Sequence, residues 1–290
     1  LIIGNDSDLI VLAMGMKPVY NINILIKSKD RNEIVSIKNL LHAHAKLLDK
    51  DDKIENLCLS NLRDDFIFLS ILMGNDYLPK VAFMNYHKVW NTYIKMMQLS
   101  NETIINELSK FNPRVTSNFF FLLYNTTNKQ QQKIRDYRPE QTGLYLEGVL
   151  WCVHMYKSGT CVKYDYSYNS ECSPHPYELL LHICSEKDNI KVLTSDFKPI
   201  PSSIYPLVIM PRKASYLLTE KQKKLMENEL NYLYEKEECE ECHKLRKSMS
   251  ELSTDEDKFI VFEGQYKKHI KTHPQFCTED IHKIISLSKK

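Results

Sequence analysis

The stretch RDDFIFLSILMGN, residues 63–75, carries apolar side chains on nearly every face. It is too short to cross a bilayer, which takes about 20 residues. A helix of this kind must therefore be covered by protein all round. Asp64 or Asp65 is expected to cap its start and Gly74 to end it. A chain of 290 residues can supply the covering layers, in one large domain or two. Its 43% apolar and 26% charged content reads as globular rather than disordered.

The segments before that helix alternate between strand and helix patterns. LIIG at the start is a short apolar run bounded by Asn5 and Asp6, a buried strand. SDLIVLAMGM follows as a helix with Asp6 or Ser7 as its N-cap. VYNINILIK suits another strand, and SIKNLLHAHAKLL an amphipathic helix with Leu40, Leu41, Leu47 and Leu48 on its apolar side. This alternation predicts a mostly parallel α/β sheet. Beyond about residue 85 the strand signals thin out. YHKVWNTYIKMMQL, TIINELSKF, TSNFFFLLYN, GLYLEGVLWCVHMYK, PYELLLHICSE and KQKKLMENELNYLYEKEE all read as helices. The expected organisation is an α/β part over 1–85, a helical domain over 86–235, and a tail over 236–290. In that tail YEKEECEECHKLRKSMSELSTDEDK reads as an exposed charged helix and linker, and FIVFEGQYKKHIKTHP as a last strand and a basic helix.

Net charge is +2, so a strongly basic footprint for a polyanion is absent, although a basic groove can sit within a near-neutral total. The eight cysteines show no paired framework and there is no signal-peptide pattern. They read as reduced thiols of an intracellular compartment, the cytoplasm before the nucleus, and no run is long enough for a membrane span. The chain begins at Leu1 inside an apolar strand-like run, which reads as a sequence whose beginning lies upstream.

Acids stand where these apolar elements end. Asp6 and Asp8 lie at a strand-to-helix turn, where both can point off the same end of a sheet, the place where open α/β sheets put their ligands. Asp76 follows the buried helix in GNDYLP. Oxygen ligands without a nearby His or Cys favour a hard cation, Mg²⁺ or Mn²⁺. Two divalent ions about 3.5–4 Å apart need several carboxylates, and three would be part of such a set. The alternative is structural. Asp6 caps a helix, Asp8 answers its dipole, and Asn75–Asp76 closes a turn.

Taken in order, GNDSDLIVLAM, RDDFIFLSILMGNDYLPKV, YLEGVLWCVHMYKSG and KPIPSSIYPLVIMPRKASYLL resemble the Xrn-type 5′→3′ exoribonucleases, whose nuclease core belongs to the PIN/FEN-like group. The resemblance covers roughly residues 1–220. It implies the C-terminal part of a parallel-sheet PIN/FEN-like core followed by a larger helical domain. Asp6 and Asp8 match the family's D-x-D metal ligands, and Asp76 the acid of its G-N-D. Ser7 stands where the family has Ala. The implied reaction is hydrolysis of single-stranded RNA from a 5′-monophosphate end with two Mg²⁺ or Mn²⁺ ions. The implied partner is the upstream half of the core, which carries further acids and the 5′-phosphate pocket. The family's aromatic segment is altered here to KYDYSYNSECSPHP, with Tyr164, Tyr166 and Tyr168 in place of Trp. Tyr164 and Tyr166 are candidates to stack on RNA bases, or else pack the helical domain.

Two rival readings stand beside this one, a FEN-like DNA nuclease and a catalytically inactive RNA-binding or scaffold relative. Cys239, Cys242 and His243 have a zinc-like spacing but lack a full ligand set, with only His273 and Cys277 further on. His42 and His44, two apart on a helix, cannot face one ion. Arg212 and Lys213 could meet phosphates, a solvated loop being the default.

Overall fold

The computed structural model describes residues 1–17, 21–27, 31–48, 59–100, 102–106, 108–127, 137–170, 173–186, 189–210, 212–234, 240–261, 264–265 and 278–288. The chain divides into two compact units, Leu1–Phe197 and Lys198–Lys290. The first is mostly helical, with a small sheet near its N-terminus. Strand β1 (Ile2–Ile3) leads through helix α1 (Asp8–Gly15) to β2 (Asn23–Lys27), and β3 (Asn32–Ser36) returns beside it. The order is β1-β2-β3. Ile2 pairs with Ile24 in parallel, whereas β2 and β3 pair antiparallel with Ile24 opposite Val35. The expected mostly parallel sheet is thus a three-stranded mixed one. Strand β3 pairs antiparallel with β2, with no helix among the described residues between them.

Helix α2 (Ile37–Leu48) buries Ile37, Leu41, His44, Ala45 and Leu48. The expected face had Leu47 in place of His44, yet Leu47 is 62% exposed. The buried positions keep the spacing of a single helical stripe from Ile37 to Leu48, and Leu47 falls off it. The His44 ring stacks on Tyr93 at 5.9 Å and meets Phe66 edge-on. Burial pushes its pKa down to about 4.

Helix α3 (Leu59–Ile71) is enclosed by core, as its all-round apolar sequence requires. Asp64 and Asp65 do not cap it. They lie inside the helix and are buried, so each needs partners from elsewhere. Lys157 donates to Asp64 Oδ2 at 2.6 Å and to Ser109 Oγ at 2.8 Å. Asp65 accepts from the Tyr93 hydroxyl at 2.7 Å and from the backbone N–H groups of Ile104 and Ile105 at 2.9 and 2.7 Å. Burial nonetheless raises its pKa to about 7, against the lowering effect of those bonds.

The Asp65 bonds also explain why TIINELSKF is not the helix expected. Two of its N–H groups go to Asp65, and Asn106 Oδ1 takes those of Leu108 and Lys110. Side-chain acceptors thus hold donors that a helix would need. The segment folds instead as a turn closed by an isolated Ile105–Phe111 bridge.

Helices α4 (Tyr86–Ser100), α5 (Pro113–Tyr124), α6 (Pro139–Ser158) and α7 (Pro176–Glu186) follow, close to the ranges their patterns predict. Asn112 caps α5 by accepting from the Val115 N–H, with Pro113 in the first turn. Pro139 opens α6, and the left-handed Gly159 closes it with its N–H on the Met155 carbonyl. One apolar core runs through the unit from Ala13 to Ile190, with α6 contributing Tyr145, Leu146, Val149, Leu150, Cys152 and Val153.

In the second unit, α8 (Tyr205–Ile209) and a 3₁₀ turn (Arg212–Leu217) precede α9 (Glu220–Lys224), a π-helical turn (Leu225–Glu229) and α10 (Asn231–Tyr234). Thr219 and Gln222 form a reciprocal capping box on α9. Ile204, Leu207, Leu218, Met226, Leu230, Tyr234 and Ile284 make this unit's own core. Helices α11 (Glu240–Glu251), α12 (Asp255–Val261) and α13 (Thr278–Ser288) complete it. Phe259–Val261, expected to start a strand, belongs to α12. Among the described residues no helix is long and apolar enough to cross a membrane.

Two measurements test this core. Replacing Lys157 with Met leaves Asp64 buried without its cation, which costs about 3–5 kcal/mol. Urea unfolding of Lys157→Met should show that loss, and adding Asp64→Asn should recover most of it. The second test concerns His44, whose folded pKa lies below its ordinary 6.5. The folded protein binds fewer protons than the unfolded chain between those values. Its contribution is therefore full above 6.5 and is lost as pH falls toward 4. Between pH 6.5 and 4.5 the wild type should lose about 2–3 kcal/mol more than His44→Phe in paired urea titrations.

Candidate functional site

The turn after β1 is held by one side chain. Asn5 Nδ2 donates to the Lys27 carbonyl at 2.8 Å, and the Lys27 N–H donates to Asn5 Oδ1 at 2.9 Å. The amide thus extends the β1–β2 pairing by one step in place of backbone. Asp6 follows, and its Oδ1 accepts the Asp8 N–H at 3.0 Å. Ser7 occupies the N-cap position of α1 without a side-chain cap bond. The capping role expected of Asp6 is therefore real, and it leaves Asp6 Oδ2 outside that bond.

The second turn starts at Gly74, which has φ +93° and whose N–H donates to the Ile71 carbonyl. A side chain there would be strained, and its Cβ would also lie 3.0 Å from Lys80 N. Asn75 closes the loop. Its Oδ1 accepts from the N–H groups of Tyr77 and Leu78 at 3.0 and 2.8 Å, and its own N–H donates to the Leu78 carbonyl. Asp76 is carried on this loop, exposed.

Helix α6 clamps the loop over several turns. The Tyr145 hydroxyl donates to the Pro79 carbonyl at 3.0 Å. Asn75 Nδ2 donates to the Tyr156 hydroxyl at 3.4 Å and lies 3.6 Å from Cys152 Sγ. The Tyr77 ring meets Trp151 edge-on at 5.0 Å. Helix α1 reaches the same helix at Gly15, where a Cβ would stand 2.1 Å from the Tyr156 carbonyl oxygen. Helix α1, at its C-terminal end, and the Gly74 loop therefore both rest on α6.

Asp8 is thereby within electrostatic reach of both Asp6 and Asp76. Burial raises the Asp8 pKa, and the charges of Asp6 and Asp76 raise it further. Burial raises the pKa of the Tyr77 hydroxyl, with Cys152 and, to a smaller extent, Asp76 and Asp8 adding to it. Burial holds the Tyr156 hydroxyl well above its ordinary range, with Asp8 adding to it, and raises the Cys152 thiol to about 12. The donor chemistry, carboxylate oxygens alone, suits a hard divalent cation. Among the described residues, however, no three His, Cys, Asp or Glu side chains converge closely enough to hold a metal ion by themselves.

The aromatic candidates separate. Tyr164 is 48% exposed. Tyr166 packs inward against Trp151, 4.7 Å between ring centroids, and its hydroxyl donates to the Leu144 carbonyl at 3.3 Å. It fills the notch above Gly148, where a Cβ would lie 1.9 Å from its oxygen. Cys242 is buried on α11 and His243 is exposed, while Cys239, His273 and Cys277 lie outside the described residues. Arg212 is half-buried in the 3₁₀ turn. The sequence reading missed Asn5, Asn75, Gly15 and Tyr156 as parts of this site. The glycines inside the apolar helices α1 and α6 were the available signal, since a helical glycine marks close packing.

No family model matches the chain. Among curated proteins it is similar to one from Acanthamoeba polyphaga mimivirus named "Putative 5'-3' exonuclease", at 25% identity over 188 residues. That match covers 59% of this chain and 28% of the relative, so the chain spans less than a third of the relative's length.

The mutual repulsion has a measurable cost. In chelator, Asp76→Asn removes one charge facing Asp8 and should raise the melting temperature, by an amount equivalent to at most about 1 kcal/mol at so exposed a position. The gain should shrink in about 1 M salt, where the screening length falls to about 3 Å. An unchanged or lower melting temperature would show that the two charges do not meet.

Proposed function

We propose that this chain contributes part of the catalytic region of an Xrn-like, metal-dependent 5′→3′ exoribonuclease acting on single-stranded RNA with a 5′-monophosphate. The supporting observation is that Asp76, far along the chain, lies with Asp6 in electrostatic reach of Asp8. Similarity to a protein named as a 5′-3′ exonuclease points the same way. In this reading the sheet and α1 belong to a PIN/FEN-like core, and the helices from α4 on to an Xrn-like helical domain. Asp6, Asp8 and Asp76 hold Mg²⁺ or Mn²⁺ through their carboxylate oxygens, with Asp6 Oδ1 kept on the Asp8 N–H and Oδ2 left for the ion. Bound divalent ions would supply an activated water for in-line attack and charge stabilisation at the departing 3′-oxygen. The three aspartates are ligands and do not themselves take the water's proton. The remaining ligands and the 5′-phosphate pocket come from outside these residues.

A second reading, a catalytically inactive scaffold relative, is favoured by the aromatic segment. Tyr166, a candidate either to stack on bases or to pack the helical domain, packs on Trp151 and donates to the Leu144 carbonyl.

Single-turnover cleavage by the full-length protein separates these readings. The substrates are 5′-monophosphorylated RNA, 5′-hydroxyl RNA and flapped DNA. The exoribonuclease reading expects cleavage of the first alone. Asp76→Asn should slow it at least about 100-fold, since each 1.4 kcal/mol lost at the transition state is tenfold. RNA binding should survive, because the substitution removes a negative charge. Wild-type cleavage by Asp76→Asn at saturating Mg²⁺ would remove the metal assignment, and cleavage of flapped DNA alone would move the protein to the FEN-like class. Binding without cleavage by the wild type would favour the inactive relative.

A further inference from the structure

Phe83 has φ +62°, a left-handed backbone that a bulky side chain rarely adopts. Strain of that kind persists only where the surroundings impose it, and it gathers where ligands are held. Here the surroundings do impose it. The Val81 N–H donates to the Leu72 carbonyl and the Ala82 N–H to the Pro174 carbonyl, while Lys88 Nζ donates to the Phe83 carbonyl at 3.3 Å. Burial of the ring does not offset the strain, since Phe83 is 47% exposed. Its ring rests edge-on against His175, 5.7 Å between centroids.

Three residues on, Tyr86 opens α4 and is 54% exposed. Its ring lies nearly parallel to that of Trp90, 19° between planes and 4.3 Å between centroids. Trp90 is buried, so one face of Tyr86 is backed by core. Between Tyr77 and Gln98 the exposed large apolar side chains are all aromatic, namely Tyr77, Phe83 and Tyr86. The same stretch carries Lys80, Lys88 and Lys95 and no Asp or Glu. Glu178, which accepts the His175 N–H at 2.8 Å, is buried and faces Arg138, so it adds no exposed negative charge.

Exposed rings flanked by ammonium groups suit a single nucleic-acid strand. Every base has a π-face to stack, and the lysines answer the charge of the backbone. A protein interface, by contrast, is depleted in lysine. We propose that Phe83 and Tyr86 form a stacking platform for the bases of single-stranded RNA, with Lys88 on its phosphates. This placement of the strand rests on the reading of the chain as acting on single-stranded RNA, and it uses none of the three aspartates.

The test is fluorescence anisotropy of a labelled oligoadenylate titrated with the chain in chelator. The wild type is compared with Phe83→Asn, Tyr86→Ser, Lys88→Gln and Tyr216→Ser, and thermal melts confirm that each variant is folded. Asparagine adopts the left-handed backbone readily, so Phe83→Asn removes the ring and keeps the turn. Tyr216, exposed on the second unit, controls for the loss of any surface aromatic. The expected result is binding about tenfold weaker for Phe83→Asn and for Tyr86→Ser, and unchanged for Tyr216→Ser. For Lys88→Gln the slope of log affinity on log salt should become shallower by about 0.7. On an abasic strand the wild type and Phe83→Asn should bind alike, because the phosphates remain and the bases are gone. Absence of binding by the wild type would overturn this platform together with the RNA reading. Wild-type affinity in folded Phe83→Asn and Tyr86→Ser would overturn the platform alone. A changed sedimentation coefficient in those two variants would then assign the rings to an interface between copies of the chain. An equal loss in Tyr216→Ser would also overturn the platform. If Phe83→Asn does not fold, Tyr86→Ser must show the loss by itself.

Discussion

Two adjacent carboxylates inside a helix with no solvent-facing side set the terms for the rest of the first unit. Asp64 and Asp65 cannot share a partner, because successive residues on a helix point about 100° apart. Each therefore recruits a different part of the chain. Asp64 takes the lysine at the end of α6, and Asp65 takes the backbone of the segment before α5 together with the Tyr93 hydroxyl on α4. One short acidic pair thus ties α3 to three other places, in an interior where an unpaired charge would cost several kcal/mol. The register of α3 on α6 that results also determines where the loop after α3 emerges.

The candidate site stands at the end of that arrangement. Its acids lie on turns, and the parts that locate them are neutral: Asn5 on the β2 backbone, Asn75 on α6, and glycines at the helix contacts. This division has a physical logic. The pKa of Asp8 is raised first by burial and then by the charges of Asp6 and Asp76. Their positions therefore have to be imposed by interactions that do not depend on charge. The surrounding core supplies the force, and the amides and glycines supply the geometry.

Much of the fold could be read from periodicity. The helices α1, α2, α4, α5, α6 and α7 and the strands β1 and β2 fall where apolar spacing and capping residues put them, because those signals are local. The errors share a cause. TIINELSKF has helical spacing, but a buried acid some forty residues earlier claims its N–H groups. Asp64 and Asp65 look like caps when only the neighbouring residues are considered, and become anchors once Lys157 and Tyr93 arrive from far along the chain. Leu47 is the expected member of the apolar side of α2, but the stripe takes His44 instead, whose stacking partner Tyr93 comes from a helix far along the chain.

The sequence by itself determined that residues 63–75 would be buried, that Asp6, Asp8 and Asp76 would sit at the ends of apolar elements, and that those ends would be turns. These follow from side-chain polarity and backbone preference, which act over a few residues. Only the tertiary structure decided that Asp76 comes within electrostatic reach of Asp8, that Tyr166 is spent on Trp151 and the Gly148 notch rather than offered to a ligand, and that α6 supports both α1 and the Gly74 loop. Those outcomes depend on how closely two helices can approach. That distance is set by single missing side chains at Gly15 and Gly148 and by which buried charge finds which partner, and no local pattern contains either.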